Sequence, residues 1–264
     1  MQVGIAGCSG RMGLTLVKAV LSAKDMQLAA GSERPGYDTK AVKLQLMAAG
    51  AVELPIVTEP TDLAKEANIC IDFTTPESSL ALAKAVAEQG GVHIIGTTGF
   101  TDAQLTELKS YAIHARIVQS GNFSLGVNII ERLVEQAARA LDPSYDIEIG
   151  EMHHKHKKDA PSGTALMLGQ AAARGRGVAL ADKKVVARDG ITGERKSGDI
   201  GFSVMRGGDV VGIHNVLFAG PGEVIELKHQ AFNREIYAYG ALHAARWAHQ
   251  QQAGFYSMWD VVGG

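Results

Sequence analysis

The sequence predicts an α/β protein: a doubly wound parallel sheet followed by a second, α+β domain. Three observations predict it. From the start to about residue 120, short runs rich in Val and Ile alternate with helix-like segments, the pattern of a parallel sheet wound through crossover helices. After Asn122 the alternation stops and one long helical segment follows. Beyond Lys183 the period becomes that of successive strands. A chain of 264 residues with 46% hydrophobic content has enough apolar mass for such a pair of cores.

The elements follow in order. Strands are expected over Gln2–Ala6, Met26–Gly31, Pro55–Thr58, Asn68–Phe73, Val92–Ile95 and Arg116–Gln119, where apolar runs are short and bounded by turn residues. Between them, Arg11–Ala23, Pro76–Gln89 and Asp102–His114 carry helical spacing, with Thr75-Pro76 and Thr101-Asp102 as helix starts. In the second half a helix is expected over Leu125–Leu141, then DIEIGEMHH as a strand, a basic loop, and a helix from near Ser162. VVAR, GFSVMRGG, DVVGIHNVLFAG and EVIELKHQAF read as strands, and the tail from about Arg234 to Gln252 as a helix that packs back on the first domain.

Charge narrows the function classes. With 26 Lys plus Arg against 28 Asp plus Glu, the formal net charge is −2, so no global field draws the chain to nucleic acid or an anionic membrane. Any attraction to anions is local. Cys8 and Cys70 form neither a CxxC pair nor a disulfide framework, which fits a reducing compartment. No apolar run approaches the roughly 18 residues of a membrane span, and MQVGIAGCSGRMG turns glycine-rich before a signal peptide could form. A cytoplasmic location is expected.

The first strand runs into GCSGRMG and then a helix, placing Gly7, Gly10 and Gly13 at a strand-to-helix turn. Glycine lets backbone amides approach a pyrophosphate, and the helix N-terminus adds partial positive charge. G-x-x-G-x-x-G is a weak signal alone. The second strand then leads into GSERPG, putting Glu33 where a dinucleotide-binding unit needs an acid for the adenosine ribose, with Arg34 beside it for a 2′-phosphate or adenine. The arrangement reads as Rossmann-like and expects NADH or NADPH; the competing reading is a tight turn and a solvated carboxylate. Gly96, Thr97 and Thr98 in GTTGF, and Ser120, Gly121, Asn122 and Phe123 in SGNFS, fall at carboxyl ends of later strands, where ligands of open α/β sheets sit.

Residues 153 to 165, HHKHKKDAPSGTA, pack three histidines and three lysines into six positions. Ser162 reads as a helix N-cap, and the amides of Gly163 and Thr164 in the first turn suit a carboxylate. Four readings compete. A metal site could use His154, His156, Glu151 or Asp159, but the lysines repel a divalent cation and no other cluster completes the ligands, so no metal is expected. A nucleic-acid patch lacks interleaved aromatic residues. A solvated loop is the bland reading. The favoured one is a site for an anionic substrate, because imidazole exchanges protons near neutral pH and lysine donates one or holds an anion.

EMHHKHKKDAPSGTA closely resembles the signature of the 4-hydroxy-tetrahydrodipicolinate reductase (dihydrodipicolinate reductase) family of lysine and diaminopimelate biosynthesis. The resemblance runs through GCSGRMG, GSERPG, DFTTPE, GTTGF, NFSLGVN and RGGDVVGIHNVLFAGPGE, and so covers essentially the whole chain. It implies NAD(P)H-dependent reduction of a cyclic imine dicarboxylate with loss of water. It implies a dinucleotide-binding domain over 1–124, a substrate-binding and tetramerisation domain over 125–233, a C-terminal segment 234–264 returning to the first, and a homotetramer. Carried over position by position, it makes His153 the proton donor or acceptor, Lys157 a proton donor, His154 a substrate contact, and Gly163 and Thr164 the carboxylate site. Its cofactor contacts fall on Gly7, Cys8, Ser9, Gly10, Arg11 and Met12, on Glu33 and Arg34, on Gly96, Thr97 and Thr98, and on Ser120 to Phe123. Thr75 stands where some members carry arginine, so no contact is expected there. The rival classes are a non-enzymatic NAD(P)-sensing Rossmann protein, and an aldehyde dehydrogenase, which would need a cysteine in the second domain.

Overall fold

The computed structural model describes residues 1–48, 50, 54–186 and 188–263. The chain divides into two compact units, Met1–Leu125 with Glu235–Gly264, and Gly126–Arg234. The first unit runs β1 (Gln2–Ala6), α1 (Arg11–Ser22), β2 (Gln27–Ser32), α2 (Thr39–Ala48), β3 (Ile56–Val57), α3 (Pro60–Glu66), β4 (Ile69–Asp72), α4 (Pro76–Glu88), β5 (Val92–Ile95), α5 (Asp102–Tyr111) and β6 (Arg116–Gln119). The chain then enters α6 (Leu125–Ala140), β7 (Asp146–His153), α7 (Gly163–Arg176), α8 (Leu180–Lys183), β8 (Lys184–Val185), β9 (Ile200–Arg206), β10 (Gly212–Gly220) and β11 (Glu223–Ala231). It returns to the first unit with α9 (Glu235–His249), β12 (Gly254–Tyr256) and α10 (Met258–Val261).

The first sheet has the order β12-β6-β5-β4-β1-β2-β3, and every neighbouring pair is parallel. This is a Rossmann-like doubly wound sheet, with the direction of winding reversing at β1. Its central strands are buried on both faces, which explains their near-continuous apolar runs. Period two splits them between two cores. Val3, Ile5, Ile69, Ile71, Val92 and Ile94 pack with Leu16 and Val20 of α1 and the alanine-rich face of α9, including Ala241, Ala244 and Ala245. Cys70, Ile95 and Ile117 pack with Leu63 of α3, Leu82 and Val86 of α4, and Leu108 of α5. Helix starts follow the expected chemistry: Thr75 accepts from Ser78 N–H with Pro76 next, and Thr101 forms a reciprocal capping box with Gln104.

The second sheet is mixed, with the order β11-β10-β7-β9-β8. β10 is antiparallel to β7 and β11, while β9 is parallel to β7 and β8. One face carries Ile147, Ile149, Phe202, Val216 and Phe218 against Val134 and Ala138 of α6 and Leu168 and Ala172 of α7. VVAR is strand only at its first residue, Val185, and its Ala187 lies outside the described residues. The tail also differs from expectation: its helix ends at His249, and Gly254–Tyr256 adds a seventh strand beside β6. Among the described residues no helix is long and apolar enough to cross a membrane.

Candidate active site

β7 alternates strictly, so Ile147, Ile149, Glu151 and His153 share the helix-covered face. The last two are polar, and both are buried: Glu151 is 1% exposed and His153 8%. A buried carboxylate needs partners, and Glu151 has four donors. Its Oε2 lies 2.6 Å from His153 Nδ1, and Arg206 Nη1 donates to the same oxygen at 2.7 Å. Its Oε1 accepts from Arg206 Nη2 at 2.9 Å and from Ser162 N–H at 3.0 Å. Sheet register brings Arg206 there, since β9 pairs Arg206 with His153. Arg206 also donates to the Asp159 carbonyl at 2.7 Å, tying the basic turn to the same point.

β10 contributes His214, paired with Glu151 in register. Its ring stands edge-on to His153 at 5.0 Å, and its Nε2 lies 3.0 Å from Ser162 Oγ, which accepts from Ala165 N–H as the N-cap of α7. Burial pushes the His214 imidazole down to about 4, with His153 beside it adding to the effect, so it is neutral near pH 7 and can accept the Ser162 hydroxyl proton. Burial also lowers His153, although the Glu151 contact pulls the other way. For Glu151 burial alone would raise the carboxyl, but the hydrogen bonds from Arg206, His153 and Ser162 outweigh it and hold it below the usual range. The resting pair is an ionised carboxylate and a neutral imidazole.

After β7 the chain turns sharply, with Lys157 N–H donating to the His154 carbonyl. Lys157 Nζ sits 3.0 Å from Asp159 Oδ1, largely shielded from water. His154 is half-buried, its ring 6.1 Å from that of His156. Lys155, His156 and Lys158 are exposed. Gly163 and Thr164 open α7, and nothing lies within 4 Å of where a Gly163 Cβ would stand. On the opposite strand, a Cβ at Gly212 would come within 3.1 Å of His153 Nε2, so glycine keeps that nitrogen uncrowded. His153, Lys157, Gly163 and Thr164 are thus brought into one unit and one neighbourhood. Glu151 is expected from the sequence only as a candidate metal oxygen, and Arg206 and His214 lie outside the expected site residues. The available signal was Glu151 two residues before His153, on the same strand face.

In the first unit, Gly7 has φ +63° and its carbonyl accepts from Gly10 N–H at 3.0 Å, closing the turn before α1. A Cβ at Gly13 would stand 2.1 Å from Gly7 O, so the loop folds onto the helix only with glycine there. Gly10, Arg11 and Met12 form the helix start, and no side chain caps it. Glu33 is no solvated carboxylate: its Oε1 accepts from Ser9 N–H at 2.7 Å and Ser9 Oγ at 2.5 Å. Arg34 is exposed, its guanidinium 5.3 Å from the Tyr37 ring centroid. Cys8 is fully buried, and burial, with Glu33 nearby, pushes its thiol up to about 12. Its sulfur packs against Gly31, and its N–H donates to the Ser32 carbonyl at 3.2 Å.

At the next strand ends, Asp72 is fully buried and its Oδ1 accepts from Thr74 N–H at 2.9 Å and Thr74 Oγ1 at 2.6 Å. Thr97 turns its hydroxyl inward to the same cluster, accepting from Thr74 N–H at 3.0 Å and Ser79 Oγ at 2.8 Å. Gly96 lies so near Phe73 that a Cβ would meet the ring at 2.1 Å, and Phe73 packs on buried Phe123 at 5.5 Å. Thr98 and Gly121 are exposed; Ser120 and Asn122 lock their loop by mutual hydrogen bonds. Thr97 and Phe123 therefore have only backbone to offer a ligand. An uncapped helix start, a glycine cradle that a Cβ would fill and an adjacent carboxylate fit a dinucleotide. Among the described residues no group of three His, Cys, Asp or Glu side chains could hold a metal ion.

Residues 1–123 match the family model for the dihydrodipicolinate reductase N-terminus, and residues 126–262 match that for the C-terminus. The chain belongs to the dihydrodipicolinate reductase family. Its similarity to individual reductases spans both units. A 4-hydroxy-tetrahydrodipicolinate reductase of Dinoroseobacter shibae is 51% identical over 260 residues, covering 98% of this chain and 97% of that protein. A reductase of the same name from Beijerinckia indica is 48% identical over 264 residues, covering 100% and 97%. Among solved structures, a dipicolinate-bound dihydrodipicolinate reductase from Paenisporosarcina shares the fold, with TM-score 0.77 at 24% identity and 97% of each chain covered.

Proposed function

We propose that this protein reduces 4-hydroxy-tetrahydrodipicolinate to tetrahydrodipicolinate, with loss of water, using NADH or NADPH. The observation that carries the reading is the Glu151 carboxylate, which binds the ring of His153 and the amide that opens α7 at once. A proton-exchanging group is thereby joined to a carboxylate-binding helix start, the pairing a cyclic imine dicarboxylate needs. The amides of Gly163 and Thr164 take one carboxylate, and His154 contacts the substrate. The basic turn supplies charge for the second carboxylate.

The residues that would hold the cofactor are the loop from Gly7 to Met12 along the pyrophosphate, Glu33 at the ribose, Arg34 at the adenosine end, and the loops Gly96–Thr98 and Ser120–Phe123. When bound, the cofactor supplies the hydride. The protein's own work is to manage protons. His153 Nδ1 is committed to Glu151, which leaves Nε2 to take up or return a proton at the ring carbon next to the reduced one. Lys157, held by Asp159, is the cationic donor. The uncovered face of the second sheet carries Met205 and Val224, 52% and 61% exposed, and supports assembly as a homotetramer through that sheet. The two free cysteines support a reducing, cytoplasmic location, and the near-neutral charge supports an enzyme without nucleic-acid or membrane partners.

The test couples pyruvate and aspartate semialdehyde through the preceding synthase and follows loss of reduced-nicotinamide absorbance. Oxidation that depends on this protein and collapses in His153→Gln and Lys157→Ala is expected. Full rates from both variants would sink the assignment. Light scattering on the purified chain checks the tetramer.

A further inference from the structure

We propose that Glu151 is a positioning residue of this reaction: one carboxylate fixes the tautomer of His153 and the place of the helix start that carries Gly163 and Thr164. The proposal rests on the reading of His153 as the proton-exchanging group. An ionised carboxylate only accepts, so the 2.6 Å contact makes His153 Nδ1 the N–H donor and leaves the lone pair on Nε2. The other oxygen holds Ser162 N–H at 3.0 Å, one residue before Gly163. The Arg206 fork spans both oxygens at 2.7 and 2.9 Å and keeps the carboxylate charged and oriented. With Glu151 only 1% exposed, water cannot replace any of these donors.

Substitutions separate the two tasks. Gln at 151 has one accepting oxygen and a donating amide, so it cannot satisfy His153, Ser162 and Arg206 together. Asp keeps the charge but is one methylene shorter and releases one side of the bridge. The charged and titratable groups facing His153 are Glu151 on its own strand, Arg206 on β9, His214 on β10, and Lys157 with Asp159 in the turn. Among the described residues, only Glu151 is hydrogen-bonded to its Nδ1.

The experiment uses the full-length protein. Histidine 15N spectra read the tautomer, titration with pyridine-2,6-dicarboxylate reads the helix start, and steady-state kinetics read kcat and KM. Glu151→Gln is expected to lose the Nδ1–H signature of His153, to lower kcat by roughly 10²- to 10³-fold and to weaken the dicarboxylate several-fold, by on the order of 5. Glu151→Asp should recover the tautomer and part of kcat. If Glu151→Gln does not fold, Arg206→Lys, which keeps the charge but loses the fork, should give a mixed tautomer and a smaller fall in kcat. Retention of the Nδ1–H tautomer and of kcat in a folded Glu151→Gln, beside an inactive His153→Gln, overturns the positioning role while the proton-exchange reading stands. A fully active His153→Gln instead overturns that reading, and the tautomer data then stand by themselves.

Discussion

Each unit buries an acid beside a histidine, and the two pairs are built for different ends. In the first, Asp72 and His93 are fully buried, 3.4 Å apart at Oδ2 and Nε2, under a lid of Thr74, Thr97 and Ser79 hydroxyls. In the second, Glu151 and His153 lie 2.6 Å apart at the last turn of strand β7, backed by Arg206, with glycine beside the outer ring nitrogen. Burial alone would raise Asp72, yet His93, Ser79 and Thr74 hold it low. The carboxylates are alike in charge. What differs is where the imidazole ends: against core in one unit, at an open nitrogen in the other. A sealed pair can only fix backbone, whereas an open one can pass a proton.

The largest way to break the comparison is Asp72→Leu. It removes the acceptor of the Thr74 hydroxyl and the carboxylate beside buried His93, and should cost about 3–5 kcal/mol of stability in urea denaturation. Next, His153→Gln should lower kcat by roughly 10²- to 10³-fold with far less effect on stability. His93→Gln, measured the same way, should leave kcat within about threefold and move stability instead. A fall in kcat matching that of His153→Gln would erase the distinction between the pairs.

Acid separates them more finely. His214 and His153 have folded values below the unfolded one, so the unfolded chain binds more protons and stability falls as pH drops below about 6.5. For His214 the loss is complete near its folded value of about 4 and amounts to up to about 3 kcal/mol. Asp72 and Glu151 are lowered, and their contributions disappear only as pH falls through those lowered values. Urea midpoints between pH 7 and 4 should therefore slope with the second unit's histidines, and His214→Gln should flatten the slope. The smallest effect is at a helix cap. Thr75→Ala should cost about 0.5–1 kcal/mol and leave cofactor KM unchanged, because its hydroxyl caps α4, whereas the Ser162 cap also engages His214.

The first sheet was legible where burial on both faces made short apolar runs between sharp turn signals. β1, β5 and β6 begin and end where the sequence places them, and β2 is shifted by one residue. β12 was not legible, since three residues are too few to show a period and its partner β6 is far away in sequence. The site divides the same way. His153, Lys157, Gly163 and Thr164 stand close together in the chain, so their chemistry could be read as a cluster. Arg206 and His214 join it only through the register of β9 and β10 on β7, which one-dimensional spacing does not reveal.

Cys8 sits in the middle of the glycine loop, yet it is sealed in the core, as is Cys70. Burial, with Asp72 nearby, also pushes Cys70 up to about 12. Neither thiol is an appreciable thiolate near neutral pH, and the thiolate is the form that peroxide and alkylating reagents attack. Both thiols are therefore poor targets for such reagents while the protein is folded, and a maleimide label attached to it would need a cysteine introduced on the surface.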